Sequence, residues 1–445
     1  MYQIVEKSNE HGIYFLKKYL TVDNKTSITE IIQFKSAKVP YNDDVEYIFL
    51  YDAAMTPISE VFDYLNFELQ ASSPNHRYLA ATALKLLYSF LALYQLQLKN
   101  LTKNDVNNLI LFLLGHPMKG TLFDLDMKTQ RSNVTVNTYL AVFRSFVTFL
   151  NLSNSVLLKK SGKSKLIQIP TSDIAIKIEQ YETSLRKYKP EHSTPRYISV
   201  DDFKNLLNVI RSEYSPREEC LVRLMFENGL RIGEVLGLTN EDIVENEKGA
   251  YLYLRNRCSD SPDQLAKSCM TVTKKNQYKS EPYKTEGVGY QKVFVSKGLM
   301  EKINDYVNEY HQGDSSKFES NYNHYSIADA VDKNTDHNFY IFINSIGKPL
   351  SGNLWGKTLR DIFIKAGLNV DKDHRETNLS HRFRHGFAMF MVRYKKITEY
   401  NLMLLLRHNS IASVKHYYRP TDKEITETKT DFVNSIYEII PELSL

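Results

Sequence analysis

The sequence predicts a mainly α-helical protein, in which a small all-helical domain precedes a larger domain that mixes helices and strands. At 445 residues the chain is longer than one hydrophobic core usually supports, so two or three domains are expected. Apolar residues recur at helical spacing over much of the chain. Between two such regions, four lysines within seven residues precede three prolines, and we interpret residues 156–195 as a basic interdomain linker.

The composition is that of an ordinary globular protein, with 42% hydrophobic and 24% charged residues. The net charge of +5 is compatible with a nucleic-acid partner but does not decide the matter. Three cysteines, Cys220, Cys258 and Cys269, lack the spacing of a disulfide framework or a zinc site. The apolar runs are too short to cross a bilayer, and the N-terminus has no signal-peptide pattern. We therefore expect a cytoplasmic protein with no membrane association, metal or cofactor.

The first 155 residues divide into an unassigned segment and a helical region. Residues 1–55 mix short β-rich stretches and contain no chemical motif. Apolar residues recur at helical spacing over Asn75–Leu98, and Thr102 has the context of a capping box that begins a second helix. A third helix is predicted over Val136–Leu150. Residues 56–155 are therefore predicted to form the small all-helical domain.

The larger domain, residues 196–420, contains segments that place ionisable side chains among apolar ones. These are Asn228–Leu238, Leu379–Ala388 and Leu404–Ile411, the last followed by Tyr417 and Tyr418. The second segment clusters histidines and arginines on a phenylalanine-rich helix, which is costly unless an anionic ligand neutralises them. A purely structural alternative applies to the first segment, where Arg231 would pair with Glu234 or Asp242 on a helix surface.

Taken in order, these segments resemble the first arginine box, the His-x-x-Arg-His box and the Leu-Gly-His-Ser box of the tyrosine recombinase (phage integrase) family. Arg407 departs from the family pattern, because a glycine is usual at that position. The resemblance covers about residues 195–420 and extends more loosely to the helical region. It implies an all-helical core-binding domain and a mixed α+β catalytic domain with a small antiparallel β-sheet.

The resemblance also implies roles for individual residues. Two arginines would bind the non-bridging phosphate oxygens, while one histidine accepts or relays the proton of a tyrosine nucleophile and another donates a hydrogen bond to the phosphate. A lysine would protonate the departing 5′ oxygen; Lys267, in an Ala-Lys-Ser sequence, is preferred over Lys279 and Lys284. Tyr417 is favoured over Tyr418, because it lies nine residues after the histidine of the third segment, as is usual in the family. The complete set is Arg231, Lys267, His381, Arg384, His408 and Tyr417.

The implied function is site-specific DNA recombination for a mobile element, by cleavage and rejoining of strands through a covalent 3′-phosphotyrosine, without metal or cofactor. The implied partners are double-stranded recombination sites, further copies of the chain in a tetramer on DNA, and accessory DNA-bending or directionality proteins. A nucleoid-associated location would follow. Two alternatives remain open, namely DNA relaxation of the type IB topoisomerase kind and a non-catalytic DNA-binding protein on the same fold.

Segments outside the three boxes carry further expectations. The linker lysines would follow DNA phosphates and gain affinity by releasing counterions, or would form a solvated surface; they are Lys159, Lys160, Lys163 and Lys165. We expect residues 1–55 to be a separable module, of the kind that binds arm-type sites in some integrases. The amphipathic pattern of residues 421–445 predicts a helical tail, which packs on its own domain or docks on a neighbouring protomer.

Overall fold

A computed structural model describes residues 2–9, 12–20, 26–42, 45–116, 123–168, 175–186, 194–258, 264–272, 277, 279–324, 339–370 and 379–440. The chain forms two compact units, Met1–Lys189 and Pro190–Leu445. It is mainly helical and carries small sheets that are almost entirely antiparallel, which confirms the predicted fold class. Within this described part, no helix is both long and apolar enough to cross a membrane.

The first unit packs helices against small sheets. Its strands are β1 (Tyr2–Asn9), β2 (Gly12–Leu20), β3 (Thr26–Ile32), β4 (Lys35–Asn42), β5 (Val45–Tyr51), β6 (Phe123–Asp126), β7 (Lys160–Gln168) and β8 (Ala175–Tyr181). One sheet has the order β3-β2-β1-β6, while β4 pairs with β5 and β7 with β8. The helices are α1 (Ser59–Asp63), which continues as a π-helical turn (Tyr64–Glu68), α2 (Pro74–Tyr94), α3 (Lys103–Leu114) and α4 (Asn133–Phe149).

The helices of this unit begin where the sequence supplies capping groups. Ser73 accepts a hydrogen bond from the third residue beyond it and is followed by Pro74, which suits the first helical position. Thr102 and Asp105 form the predicted capping box of α3, and Ser132 caps α4. The helices predicted from apolar periodicity therefore lie within a few residues of their observed bounds.

The first 55 residues share their core with the helices that follow. β1 pairs in parallel with β6, so the sheet joins the start of the chain to a strand inside the region predicted as all-helical. Buried side chains of the first 50 residues, including Ile4, Phe15 and Leu50, belong to the same hydrophobic cluster as Leu87 and Phe146 of the helices. The boundary predicted at residue 55 therefore does not divide this unit into two cores.

The segment predicted as a linker is partly built into the first unit. After a 3-10 turn at Val156–Leu158, β7 and β8 form an antiparallel hairpin. The Nζ atom of Lys160 lies 3.4 Å from the ring centroid of Tyr181. Lys159 is exposed and pairs with Glu182 at 3.6 Å. Lys163 and Lys165 lie in β7, but their side chains are outside the described residues. The described residues of this segment therefore include a turn and two paired strands.

The second unit surrounds a three-stranded antiparallel sheet, of order β11-β10-β9, with helices. Its strands are β9 (Ile243–Asn246), β10 (Gly249–Leu254) and β11 (Gln291–Ser296). Its helices are α5 (Val200–Glu213), α6 (Pro216–Glu227), α7 (Ile232–Leu236), α8 (Glu281–Lys284), α9 (Lys297–Tyr310), α10 (Ser316–His324), α11 (Gly352–Lys365), α12 (Leu379–Tyr394), α13 (Glu399–Leu405) and α14 (Asp422–Ile439). Single 3-10 turns occur at Asn240–Asp242, Ile411–Ser413 and Lys415–Tyr418.

The stretch 311–338, whose polar composition favours an inserted loop, is partly ordered into the fold. It contains α10, and His311 is buried, with its Nε2 atom 2.8 Å from the carbonyl oxygen of Ile341 and its Nδ1 atom 3.1 Å from the hydroxyl of Tyr322. Residues 325–338 are outside the described residues. The first half of the stretch is therefore packed structure.

The C-terminal helix α14 begins with a capping box between Thr421 and Glu424. Large apolar side chains along it are exposed, with Phe432 66% and Ile439 80% accessible. A helix needs tertiary burial of its apolar face for most of its stability. The tail is thus helical, as expected, and presents apolar surface.

Because the first 55 residues complete the core of the first unit, we expect Leu50→Ala to destabilise that unit by about 2–5 kcal/mol, the usual range for a buried leucine. Ile31→Ala, at a side chain 59% exposed, is the matched control and should cost little. Urea unfolding followed by circular dichroism measures the loss. Fluorescence of the single tryptophan, Trp355, reports the second unit and should not change. Equal stability of the two variants would restore the separable-module hypothesis.

Candidate active site

The first arginine segment is positioned by the end of α6. Gly229 adopts φ +60°, and a Cβ atom there would lie 2.6 Å from the ring of Phe387, so glycine is required by both conformation and space. The chain then turns, and Arg231 becomes the N-cap of α7. Its Nη1 atom donates to Glu234 Oε1 at 2.7 Å and its backbone N–H donates to Oε2 at 2.8 Å. The ion pair with Glu234 that the sequence offered as an alternative is therefore present. It does not lie on an open surface, because the Glu234 side chain is inaccessible and that of Arg231 is largely buried.

Glu234 is the buried carboxylate of this site, and its side chain is fully inaccessible. Burial opposes its ionisation, but the charges of three surrounding arginines outweigh burial and hold its pKa below the ordinary value. Those arginines are Arg407, Arg384 and Arg231. The carboxylate is thus ionised at neutral pH and is outnumbered by positive charges.

Arg384, on α12, connects the three sequence segments. It is 1% exposed and donates hydrogen bonds to the carbonyl oxygens of Gly229 and Leu406. Its Nη2 atom also lies 3.0 Å from His408 Nε2. Burial lowers the pKa of Arg384 to about 9, so the guanidinium remains charged at neutral pH. Its three hydrogen-bond partners among the described residues are neutral groups, and the charge of Glu234 offsets only part of the effect of burial on its pKa.

His408 is left with a free hydrogen-bond donor. Burial, reinforced by the charge of Arg384, lowers its pKa to about 3, so the ring is neutral. Since Nε2 accepts from Arg384, the ring proton belongs on Nδ1. Among the described residues, this buried Nδ1 atom has no hydrogen-bond partner. His408 can therefore donate to a ligand oxygen, as the resemblance implied.

Tyr417 is 2% exposed, and its hydroxyl lies 2.6 Å from Nδ1 of His385. Burial raises the pKa of Tyr417 to about 12, against the opposing effect of Arg384 and Arg231. Burial likewise lowers the pKa of His385 to about 3. Both groups are neutral at physiological pH, so the hydroxyl donates to the imidazole.

Tyr418 has a different environment from its neighbour. Its hydroxyl donates to the carbonyl oxygen of Ile397 at 2.9 Å, and its ring packs against a small core that includes Leu402 and Val414. The two tyrosines lie in a 3-10 turn, in which successive side chains point about 120° apart. This arrangement supports Tyr417 as the nucleophile and gives Tyr418 a structural role.

His385 is the site residue that sequence reasoning missed. It follows Arg384 directly, and its ring centroid lies 4.6 Å from that of His381, one helical turn earlier. Burial lowers the pKa of His381 to about 4, and neighbouring positive charges act in the same direction. Histidines four residues apart share one helix face, which was a signal available in the sequence. The structure places His385, rather than His381, at the hydroxyl of Tyr417.

Lys267 lies in the loop between β10 and α8 and is exposed. The loop is fixed at its base, where Arg257 N–H donates to Gln264 O at 3.0 Å and Gln264 Nε2 donates to Leu236 O at 3.2 Å. The charge of Lys267 contributes to lowering the pKa of His381. Lys284, one alternative, pairs with Glu281 at 3.6 Å. These observations favour Lys267 over Lys284.

The buried salt bridge beneath this loop joins Arg257 to Asp242 at 2.8 Å, with both side chains inaccessible. Asp242 also accepts from Arg255 Nε at 2.8 Å. Breaking a buried ion pair of this kind is strongly destabilising, because it leaves an uncompensated charge. The network therefore anchors the loop that carries Lys267. Within the residues described, no cluster of three His, Cys, Asp or Glu side chains could hold a metal ion.

Residues 196–424, just over half of the chain, match the phage integrase family. The chain therefore belongs to that family of tyrosine recombinases. Transposase A from transposon Tn554 of Staphylococcus aureus is 27% identical over 208 residues, which are 45% of this chain and 54% of the transposase. Tyrosine recombinase XerD of Rickettsia bellii is 23% identical over 163 residues, 36% of this chain and 42% of XerD.

The chain thus spans about half the length of the relatives it matches. Among solved structures, it is similar to the XerH site-specific recombinase bound to its difH substrate in a pre-cleavage complex. That similarity has a TM-score of 0.49 at 15% identity and covers 81% of each chain.

The buried histidines make stability depend on pH. The pKa of His385 falls from 6.5 in the unfolded chain to about 3, so unfolding takes up a proton between these values and stability decreases as pH falls. We expect His385→Asn, which keeps an acceptor near Nδ1, to reduce the slope of unfolding free energy against pH near pH 5 by up to about 1.4 kcal/mol per pH unit. Urea titrations followed by Trp355 fluorescence measure this slope.

The control for this measurement is His76→Asn, at an exposed histidine of the first unit. That change should leave the transition reported by Trp355 unaltered at every pH. Parallel slopes for His385→Asn and the unmodified protein would show that His385 is charged in the folded state. The hydrogen bond from Tyr417 would then be assigned incorrectly.

Proposed function

We propose that this chain catalyses site-specific recombination of DNA for a mobile element, cleaving and rejoining strands through a covalent 3′-phosphotyrosine. The observation that carries the proposal is that the hydroxyl of Tyr417 lies in the field of the buried Arg384 guanidinium, from which no carboxylate of the described residues accepts a hydrogen bond. The charge of Arg384 acts on Tyr417, and each of the two contacts a histidine of the site, Arg384 contacting His408 and Tyr417 contacting His385. Membership of the family and the Tn554 transposase relative support the mobile-element role.

The two arginines would neutralise the negative charge of the phosphodiester, which is the main obstacle to nucleophilic attack. A phosphodiester is anionic and repels nucleophiles, so catalysis depends on positioning and charge neutralisation. Arg231 and Arg384 supply planar, permanently charged donors suited to the two non-bridging oxygens. The unpartnered Nδ1–H of His408 would donate to the same phosphate. These contacts strengthen as charge develops on the oxygens.

The proton transfers balance without an external reagent. The oxygen of Tyr417 forms a bond to phosphorus while the bond from phosphorus to the 5′ oxygen breaks. The tyrosine proton passes to Nδ1 of His385, with His381 next in line for relay. A phosphate bound nearby raises the pKa of His385, since negative charge favours the imidazolium. Lys267 gives its proton to the 5′ oxygen. The phosphotyrosine conserves the bond energy, and the reverse steps reseal the strand.

The proposal includes an assembly on DNA. Double-stranded recombination sites would be bound by several copies of the chain, with a tetramer as the exchange complex and accessory DNA-bending or directionality proteins as further partners. Exposed Lys159 and Lys160 on the hairpin would contact phosphates. The exposed apolar side chains of α14 would dock on a neighbouring protomer. Location at the nucleoid follows from DNA binding.

The test is to trap and sequence the DNA that becomes covalently attached to the protein. Purified protein is incubated with fragmented DNA of its source in excess EDTA, and complexes that survive denaturation are sequenced. We expect one recurrent site, joined through its 3′ phosphate. A random set of sequences, with relaxation of supercoiled plasmid, would favour the topoisomerase alternative. A requirement for magnesium in the cleavage step would count against the mechanism.

Phenylalanine substitutions distinguish the two tyrosines. Tyr417→Phe should bind the recovered site yet form no covalent complex, since only the attacking oxygen is removed. Tyr418→Phe is the matched control and should still form the complex, losing only the hydrogen bond to Ile397, worth about 1 kcal/mol. A denaturing gel with labelled DNA reads both variants. The reverse pattern would make Tyr418 the nucleophile.

The general acid is tested by changing the leaving group. We expect Lys267→Ala to reduce cleavage by about 10²–10⁴-fold, the usual contribution of general acid catalysis. A substrate with sulfur in place of the bridging 5′ oxygen needs no protonation and should restore the rate. Lys284→Ala, at the lysine that pairs with Glu281, should cleave both substrates normally. A defect in Lys267→Ala that sulfur does not relieve would exclude Lys267 as the acid.

A further inference from the structure

Arg407 occupies a backbone conformation that favours glycine. Its φ is +54°, in the left-handed region, and its N–H donates to the carbonyl oxygen of Leu404 at 2.9 Å as α13 ends. A non-glycine residue in this region costs on the order of 1 kcal/mol. The chain nevertheless carries an arginine here, at the position where the family resemblance leads one to expect glycine. Its side chain makes an interaction that can offset this cost.

That interaction is with the buried carboxylate of the site. Arg407 Nη2 donates to Glu234 Oε2 at 2.7 Å, and the arginine side chain is only 9% exposed. Among the described residues, its Nε atom is buried without a hydrogen-bond partner. Since α7 and the end of α13 are far apart in sequence, this ion pair joins the first and third segments of the site.

The ion pair with Arg407 reduces the extent to which the charge of Glu234 neutralises that of Arg231. The carboxylate has two oxygens: Oε1 accepts from the Arg231 guanidinium, whereas Oε2 accepts from the Arg231 backbone N–H and from Arg407. Without Arg407, the full negative charge of Glu234 would be set against Arg231 at close range. With Arg407 present, the charge is shared, and the site retains one more positive charge for a phosphate.

We propose that Arg407 is a positioning residue for strand cleavage, which acts through Glu234 to hold Arg231 in place and to keep its charge available to the scissile phosphate. This inference rests on the proposed function. Arg407 directly precedes His408, and its charge helps to lower the pKa of that histidine. Its charge therefore acts on His408 as well as on Glu234.

The decisive variant is Arg407→Gly, because glycine suits the backbone at this position and removes only the side chain. Lys396→Gly is the matched control: Lys396 also has a left-handed φ, of +50°, and is exposed. Both variants lose one positive charge. Single-turnover cleavage at saturating protein, DNA affinity and thermal midpoint are measured on the duplex recovered by trapping.

We expect Arg407→Gly to cleave roughly tenfold or more slowly, equivalent to about 1.4 kcal/mol of transition-state stabilisation, with affinity and thermal midpoint near those of the unmodified protein. Arg407→Lys, which can still pair with Glu234, should recover part of the rate. Lys396→Gly should cleave normally. An unchanged rate in Arg407→Gly, or a loss confined to affinity, would overturn the inference.

A double-mutant cycle with Glu234→Gln tests the route of action. If Arg407 works through the carboxylate, Arg407→Gly should slow cleavage much less in the Glu234→Gln background. Equal losses in both backgrounds would contradict the inference, as would loss of folding in Arg407→Gly that Arg407→Lys does not restore. Absence of any covalent complex with the unmodified protein would instead reject the proposed function.

Discussion

The buried charge of Arg384 is the constraint on which the rest of the site depends. Its guanidinium hydrogen-bonds to the carbonyl oxygens of Gly229 and Leu406 and to His408, and in the described part of the chain the carboxylate of Glu234 acts on it only through its charge. A buried cation is stabilised most by an opposite charge, and neutral dipoles compensate only part of the cost. The protein therefore carries an electrostatic demand for an anion at this point. A phosphodiester, the proposed substrate, would meet that demand and would gain binding energy where charge develops during the reaction.

The same field sets the protonation of the groups around it. Burial and nearby positive charges lower the pKa values of His381, His385 and His408 together. Neutral imidazoles can each accept one hydrogen bond and donate another, so His385 can accept the hydrogen bond of the Tyr417 hydroxyl, while His408 keeps a donor without a partner among the described residues. A charged histidine at either position would lose the accepting lone pair. Because burial and the arginine charges keep these histidines neutral, each ring has one nitrogen that accepts a hydrogen bond and one that donates.

Sequence patterns predicted the parts of this protein that depend on local order. Helical periodicity and capping residues located α2, α3 and α4, because a helix is determined by neighbours three and four residues apart. The pairing of β1 with β6 joins residues more than a hundred positions apart, and no local pattern reports such a contact. The motif segments identified the arginines. Their spacing placed His385 on the same helix face as His381, but its contact with Tyr417 depends on the tertiary fold, which the motifs do not report.

Close packing explains how segments so far apart in sequence meet within hydrogen-bond distance. At Gly386, an added Cβ would lie 2.6 Å from the carbonyl oxygen of Ile198, so α12 can approach the start of the unit only because that residue has no side chain. Gly229 gives the same helix access to the first segment. In the third segment, Arg407 stands where the family usually has glycine. Its backbone conformation is unfavourable for a residue with a side chain, but that side chain forms an ion pair with Glu234. Gly229 thus lets the first segment pack against the second without a side chain, whereas Arg407 joins the third segment to the first through an ion pair, and only the ion pair can alter the electrostatics of the site.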